Sequence, residues 1–186
     1  MEIYVAWNEQ AGQFQEVLQE MKHPEIMAYL QDNDIHLLEQ QIAEVNIDAG
    51  IWMEKVGNAI QNGHIITIDY GHDADELYRE HRMLGTLMCY KQHKAHDNPY
   101  IHIGEQDMTT HVNFSDCIRA GVKAGFHTWT LRTQKDFLID AGILHELRDH
   151  QAADPFSPTA KRNRAIRQLL ISDQMSELFK VLTLSK

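Results

Sequence analysis

The stretch HIITIDYG, residues 64–71, constrains the fold more than any other part of this sequence. Its four consecutive residues from Ile65 to Ile68 are β-branched, and they follow a predicted helix that ends near Gly63. A short, continuous apolar run of this kind predicts a strand buried on both faces, as in a parallel sheet. Ligands of such sheets bind beyond the carboxyl ends of the strands, which is where Asp69 falls. An aspartate that caps the next turn explains the same pattern equally well.

Helix and strand patterns alternate along the rest of the chain, and this order predicts an α/β fold in a single domain, residues 1–186. The predicted parts are a hairpin at 1–20, a helix and the core strand at 46–71, a long insertion at 72–114, and helices with the last two strands at 115–186. The insertion has little regular pattern but many apolar residues. It is therefore predicted to be an ordered lid or substrate-binding segment.

The charge of the chain argues against nucleic acid as a partner. The formal net charge is −10, and residues 1–60 hold eleven acidic residues against two basic ones. Phosphate contacts need clustered cations. The one basic cluster, KRNRAIR at 161–167, is better explained as a solvated helix face. With no membrane-length apolar run and no secretory signal at the start, we expect a cytoplasmic protein without a membrane partner.

Several common kinds of site find no support. The twelve histidines include an HxxH at His93 and His96, but no HExxH motif, so surface or loop histidines are favoured over a metal site. No GxSxG motif is present, and Ser115 is predicted to cap the following helix instead. Cys89 and Cys117 are interpreted as reduced, buried thiols. The ten glycines are never closer than four residues apart, which excludes a dinucleotide fingerprint or a phosphate loop.

The densest polar stretch is GEQDMTTHVNF, residues 104–114. It supplies two carboxylates, Glu105 and Asp107, which can orient a cationic substrate or accept a proton. A loop whose polar side chains satisfy its own backbone is the alternative, and composition alone favours it.

A longer pattern resembles the central signature of the MidA-like family of S-adenosylmethionine-dependent methyltransferases, which includes mitochondrial complex I assembly factors. It comprises Asp69-Tyr70-Gly71, Glu76-Leu77-Tyr78, Arg82, Gly85-Thr86-Leu87, Tyr90, Pro99-Tyr100, Gly104 to Asp107, Thr109, His111-Val112 and Asn113-Phe114. The segments TQKDFLIDAGI and FKVL are also similar, so the resemblance covers essentially the whole chain.

The resemblance implies transfer of a methyl group to a protein side chain, with arginine as the expected acceptor. Asp69, Glu105 and Asp107 are then the candidate catalytic carboxylates, because a guanidinium is always charged and must be oriented. The candidate substrate-binding residues are Tyr70, Tyr90, Gln106, Thr109, His111 and Asn113.

The family's glycine-rich cofactor loop, and the half of the fold that carries it, have no counterpart in this sequence. The resemblance therefore implies the carboxyl-terminal part of a class I, Rossmann-like methyltransferase, either truncated or free-standing, with no secure cofactor site of its own. In that fold residues 64–71 form the fifth strand, and the last strand lies antiparallel beside it. Without the fourth strand, the edge of the fifth strand is exposed, which predicts a homo-oligomer. A non-catalytic binding or assembly module remains the alternative function.

Overall fold

The structure is a computed structural model that describes residues 1–149, 154–171 and 175–186. The chain, predicted to form one domain, divides into two compact units, each built from two separate segments. The first unit comprises Met1–Asp48 and Ala74–His111, and the second comprises Ala49–Asp73 and Val112–Lys186.

The first unit begins with the predicted hairpin, in which Trp7 lies opposite Phe14 and their ring centroids are 5.1 Å apart. A small apolar core forms around Tyr29, Ile35 and Ala74, all of which are buried. The elements of this unit are β1 (Glu2–Asn8), β2 (Gln13–Gln19), α1 (Pro24–Asp32), α3 (Ala74–Leu77), β4 (Met88–Lys91), β5 (Lys94–His96) and β6 (Asp107–Thr109).

The predicted insertion is more regular than its sequence indicates. Strands β4, β5 and β6 form an antiparallel sheet in the order β5-β4-β6. These strands have only three or four residues each, which is too short for an alternation of polar and apolar residues to stand out.

The second unit is a four-stranded sheet with helices. Its elements are α2 (Ile47–Ala59, which begins in the first unit), β3 (His64–His72), β7 (Val112–Asn113), α4 (Phe114–Lys123), β8 (Thr128–Thr133), α5 (Gln134–Asp140), a short 3-10 helix (Ile143–Glu146), α6 (Pro158–Ile171), α7 (Met175–Leu178) and β9 (Phe179–Ser185). The strand order is β7-β3-β9-β8. The last strand, β9, lies antiparallel between β3 and β8, as the resemblance implied.

One prediction for β3 was wrong: it is not buried on both faces. Ile65 is 8% exposed and lies in the core, but Ile66 is 56% exposed and Ile68 is 50% exposed. The pairing of β3 is also mainly antiparallel, with β9, and parallel only over two residues with β7. A run of apolar residues records that a strand is hydrophobic, but it cannot record which neighbours are present to cover it.

The core of the second unit lies between its helices and the inner face of the sheet. Phe114, Phe126, Leu182 and Leu184 are essentially inaccessible to solvent, and Met53 of α2 packs with them. This core fixes the position of β3, and with it the segment from Asp69 to Gly71.

The start of α4 corrects a second detail. Its cap is Asn113, whose side-chain oxygen accepts hydrogen bonds from the backbone N–H groups of Ser115 and Asp116, so the prediction of Ser115 as the cap was wrong. The helix begins at Phe114, which is buried in the core as its first residue.

Candidate functional site

In the second unit, the candidate residues lie at the carboxyl end of β3. The Asp69 carboxylate accepts a hydrogen bond of 2.8 Å from the backbone N–H of Tyr70. The Tyr70 ring meets Phe179 edge to face, with centroids 5.2 Å apart. Asp69 thus bonds to the backbone next to it inside β3, which continues to His72.

Gly71 allows two backbones to approach closely at this end of the strand. A Cβ placed on Gly71 would lie 2.2 Å from the carbonyl oxygen of Val112 and 2.8 Å from its nitrogen. Gly71 pairs with Val112 and His72 pairs with Asn113 in a parallel arrangement. Two segments of the signature, DYG and HVN, therefore meet here through residues of the same unit.

Asn113 is buried, with 7% of its surface exposed, and its side-chain oxygen is used as the cap of α4. This gives Asn113 a structural role next to the end of β3, in addition to the predicted role in positioning a substrate.

In the first unit, Glu105 lies in a small charged cluster with Lys91 and His102. The Lys91 ammonium donates to Glu105 Oε2 over 2.6 Å and to His102 Nδ1 over 3.1 Å. The hydrogen bond from Lys91, followed by its positive charge, lowers the pKa of the Glu105 carboxyl below its ordinary value. Glu105 is therefore an exposed anion that already binds a cation.

The neighbouring candidates line the small sheet. Tyr90 and Asp107 are exposed and lie opposite each other on β4 and β6. The Thr109 hydroxyl donates to the carbonyl of Met88 over 3.4 Å. Gln106 donates to the carbonyl of Pro99 over 2.9 Å, while its buried side-chain oxygen has no hydrogen-bond partner among the described residues.

His111 follows β6 and is half-buried. Its backbone N–H donates to the Thr86 hydroxyl over 3.0 Å. Burial lowers the pKa of the imidazole, and the positive charge of Arg82 lowers it further against the opposing effect of Glu44. Burial thus disfavours the charged imidazolium, and the neutral ring can act as a hydrogen-bonding or stacking surface.

The position of His111 depends on Glu44, a residue that the sequence analysis missed. Both Glu44 oxygens lie 3.0 Å from the Thr86 nitrogen, and the carboxylate also accepts from the Thr86 hydroxyl and the Leu87 N–H, each over 3.0 Å. Gly85 has φ of +72°, and a Cβ there would lie 2.3 Å from Glu44 Oε1. No local pattern points to Glu44, because its partners are 42 and 43 residues away.

The candidates thus fall into two sets, one in each unit. Six lie on the small sheet of the first unit and the segments that follow it: Tyr90, Glu105, Gln106, Asp107, Thr109 and His111. The other three, Asp69, Tyr70 and Asn113, lie at the end of β3 in the second unit.

The described part of the chain offers neither a cluster of metal ligands nor a membrane-spanning helix. Within residues 1–149, 154–171 and 175–186, no three His, Cys, Asp or Glu side chains come together in a way that could hold a metal ion. Across the same ranges, no helix combines the length and apolar character needed to cross a bilayer. Both cysteines are free and buried, as predicted.

Comparison with known proteins gives a family and a fold. The family model described as "Putative S-adenosyl-L-methionine-dependent methyltransferase" matches residues 1–131. No curated protein matches the sequence. An uncharacterised protein from Burkholderia thailandensis has a similar crystal structure, with 32% sequence identity and a TM-score of 0.86. A second Burkholderia thailandensis structure, of a candidate methyl transferase bound to S-adenosyl-homocysteine, has 32% identity and a TM-score of 0.85.

The matches cover 99% of this chain but only 48% and 46% of the two Burkholderia thailandensis chains. The chain therefore spans about half the length of the solved structures that it resembles.

Proposed function

This chain belongs to the family described as "Putative S-adenosyl-L-methionine-dependent methyltransferase", and on that premise we propose that it forms the acceptor-binding part of an enzyme that methylates protein side chains. S-adenosyl-homocysteine, which is bound to one of the similar structures, is what remains of S-adenosylmethionine after methyl transfer. The bound molecule is a property of that relative. It supports methyl transfer as the reaction of the family to which this chain belongs.

Arginine is the acceptor that the site favours. A guanidinium is planar, always charged, and bound best by carboxylates and aromatic faces. The observation that carries this proposal is the ion pair between Glu105 and Lys91, because it places a cation 2.6 Å from a carboxylate whose pKa is already lowered. An arginine side chain of a substrate would take the place of the Lys91 ammonium, with Asp107 close by in the sequence on β6.

Roles follow for the other candidates. In the first unit, Tyr90 and His111 are proposed as walls of the acceptor site, and Gln106 and Thr109 as groups that position the acceptor through hydrogen bonds. In the second unit, Asp69 is proposed as a catalytic carboxylate, and Tyr70 and Asn113 as substrate-binding residues. Methyl transfer is a displacement that depends more on alignment than on acid–base catalysis, so residues that hold the acceptor still make the larger contribution.

The residues of this chain do not fit S-adenosylmethionine by themselves. The sequence has no glycine-rich loop, and at Gly71 the space above the glycine is filled by the backbone of Val112. We propose that the chain alone does not hold the cofactor, which supplies the methyl group to the acceptor when the complete enzyme binds it. This observation also supports the second candidate function, a non-catalytic binding or assembly module.

The acceptor site is tested in the Burkholderia thailandensis relative that binds S-adenosyl-homocysteine, at the positions aligned with Glu105 and Asp107. Replacing either by alanine is expected to abolish transfer of labelled methyl groups to protein while the melting temperature stays unchanged. Retained transfer in either variant would remove the replaced residue from the site. Alanine at the position aligned with the exposed Glu39 is the matched control and should have no effect.

Calorimetry of this chain tests the proposal that it does not hold the cofactor by itself. Titration with S-adenosyl-homocysteine is expected to release no heat. Saturable binding would contradict the proposal that the chain alone cannot hold the cofactor, and it would argue for a self-sufficient enzyme.

A further inference from the structure

The outer side of helix α6 carries three positively charged side chains in a row, which we call the cationic stripe. Lys161, Arg164 and Arg167 are all exposed, and because they are three residues apart they lie on neighbouring turns of the helix. The opposite side of α6 is buried through Ile166 and Leu170. The exposure of the stripe agrees with the solvated helix face that the sequence predicts.

The charges of the cationic stripe are not neutralised by the residues that the structure describes. Arg162, the fourth basic residue of α6, pairs with Glu146. Among the described residues, by contrast, no acidic side chain forms an ion pair with Lys161, Arg164 or Arg167. The stripe is therefore available to an anionic partner.

The stability of α6 does not explain the cationic stripe. Lys161 lies at the end of the first turn, near the positive end of the helix dipole, where a cation is unfavourable. Lys161 with Arg164, and Arg164 with Arg167, are like-charge pairs at a spacing of three residues, which destabilise a helix. No acidic residue occurs in α6 to offset them. Features that oppose local stability without a structural gain are expected at functional surfaces.

The cationic stripe borders a shallow concavity that also contains apolar surface. Its lining adds Ala165, Gln168 and Ile171 to the three cations, and Ile171 is 70% exposed. Cations beside apolar side chains fit a partner that has both carboxylates and apolar residues. One face of an acidic amphipathic helix has this composition.

We propose that the cationic stripe and Ile171 bind an acidic helix of another protein, in which Asp or Glu recurs every three or four residues. Neighbouring cations of the stripe are about 4.5 Å apart along the axis of α6, which is close to the spacing of such carboxylates on a second helix. Residues on one face of a strand are about 6.7 Å apart and match the stripe less well. Arg164 and Arg167 each offer a guanidinium that binds a carboxylate through two parallel hydrogen bonds. Docking needs neither cofactor nor acceptor, so it does not rest on the proposed methyl transfer.

Nucleic acid and an anionic membrane are the competing ligands for a cluster of cations. Both are extended, and the chain has a net charge of −10, so the surfaces around the stripe repel them. A short helix contacts only the stripe, and charges more than about 8 Å away are largely screened at physiological salt. Helices that bind membranes also present a broad face of large apolar residues to the bilayer, whereas Ile166 and Leu170 of α6 are buried.

The test titrates the 186-residue chain into a fluorescently labelled peptide of about 20 residues, which is long enough to form a helix. Its glutamates recur every three or four residues, with leucines and alanines between them. A second peptide has the same composition, but its glutamates are grouped at one end. Fluorescence anisotropy is expected to show saturable binding of the first peptide, weaker binding of the second, and a loss of affinity as the salt concentration rises.

Arg164→Glu should weaken binding of the first peptide by about tenfold or more, because it places a negative charge against the carboxylates of the partner. The same substitution should not lower the melting temperature, since it replaces two like-charge pairs within α6 by opposite-charge pairs. Lys55→Glu is the matched control, because Lys55 is exposed on α2 and the change in net charge is the same. It is expected to leave binding nearly unchanged.

Three results would overturn the proposal directly: equal binding of the two peptides, equal effects of Arg164→Glu and Lys55→Glu, or no binding of either peptide. Single-stranded RNA or vesicles of anionic phospholipid that bind more tightly than the peptide at the same salt, and release Arg164→Glu, would also overturn it and assign the stripe to that ligand. A dimer of the chain that Arg164→Glu dissolves would overturn it as well and assign the stripe to a second copy.

Discussion

Glu44 is the residue whose replacement tests the organisation of the first unit most directly. Its carboxylate accepts hydrogen bonds from the N–H and O–H of Thr86 and from the N–H of Leu87. A hydrogen bond to a charged group contributes about 1.5–3 kcal/mol. Because Glu44 and Thr86 are only half-buried and water replaces part of the loss, we expect Glu44→Ala to lower the free energy of unfolding by about 3 kcal/mol.

The effect should be local as well as global. The Thr86 hydroxyl also accepts from the His111 N–H, so loss of Glu44 frees the turn that holds His111. Urea unfolding gives the change in stability, and hydrogen exchange reports the Thr86, Leu87 and His111 amides. The exposed Glu39→Ala is the control, with an expected change of less than about 0.5 kcal/mol.

A double-mutant cycle with Gly85 checks the geometry behind this estimate. Gly85→Ala places a Cβ 2.3 Å from Glu44 Oε1, at a φ of +72°. Alone it is expected to destabilise by about 2–3 kcal/mol, through both strain and collision. In the Glu44→Ala background only the cost of φ, about 1 kcal/mol, should remain. Additive effects of the two substitutions, or unchanged amide exchange at Thr86 in Glu44→Ala, would refute the reasoning.

Three further predictions concern other residues. Gly71→Ala is expected to destabilise the second unit by about 3 kcal/mol or more in urea unfolding, since the backbone of Val112 cannot move away as a side chain could. The His111 imidazole should titrate below its ordinary 6.5 in NMR, because burial lowers its pKa. The folded pKa of His111 is therefore below its unfolded pKa, so this residue costs no stability above about pH 6.5. As the pH falls below that value, the unfolded state binds the proton more readily and the free energy of unfolding decreases. His111→Gln should reduce this decrease. Burial raises the pKa of the Cys117 thiol to about 11, and it also raises the pKa of the Cys89 thiol. Both thiols should therefore resist alkylation at pH 8 until denaturant is added. Rapid labelling of the native protein would contradict this.

Part of the candidate site was predictable because it lies in short stretches of sequence. Asp69, Tyr70 and Gly71 could be placed at the end of a strand from the apolar run before them. The density of polar residues from 104 to 113 marked most of the candidates in the first unit. The Lys91–Glu105 ion pair and the contact of Glu44 with Thr86 could not be predicted, because each depends on how separate segments fold together.

The elements themselves were determined by the sequence. The hairpin, the helix α2 and the strands β3, β8 and β9 follow from alternation, helical periodicity and runs of β-branched residues, which act within a few neighbours along the chain. Only the tertiary structure decided which surfaces these elements bury. Ile65 and Ile66 are adjacent and chemically identical, yet one lies in the core and the other is more than half exposed, because burial depends on what packs against each face of the strand.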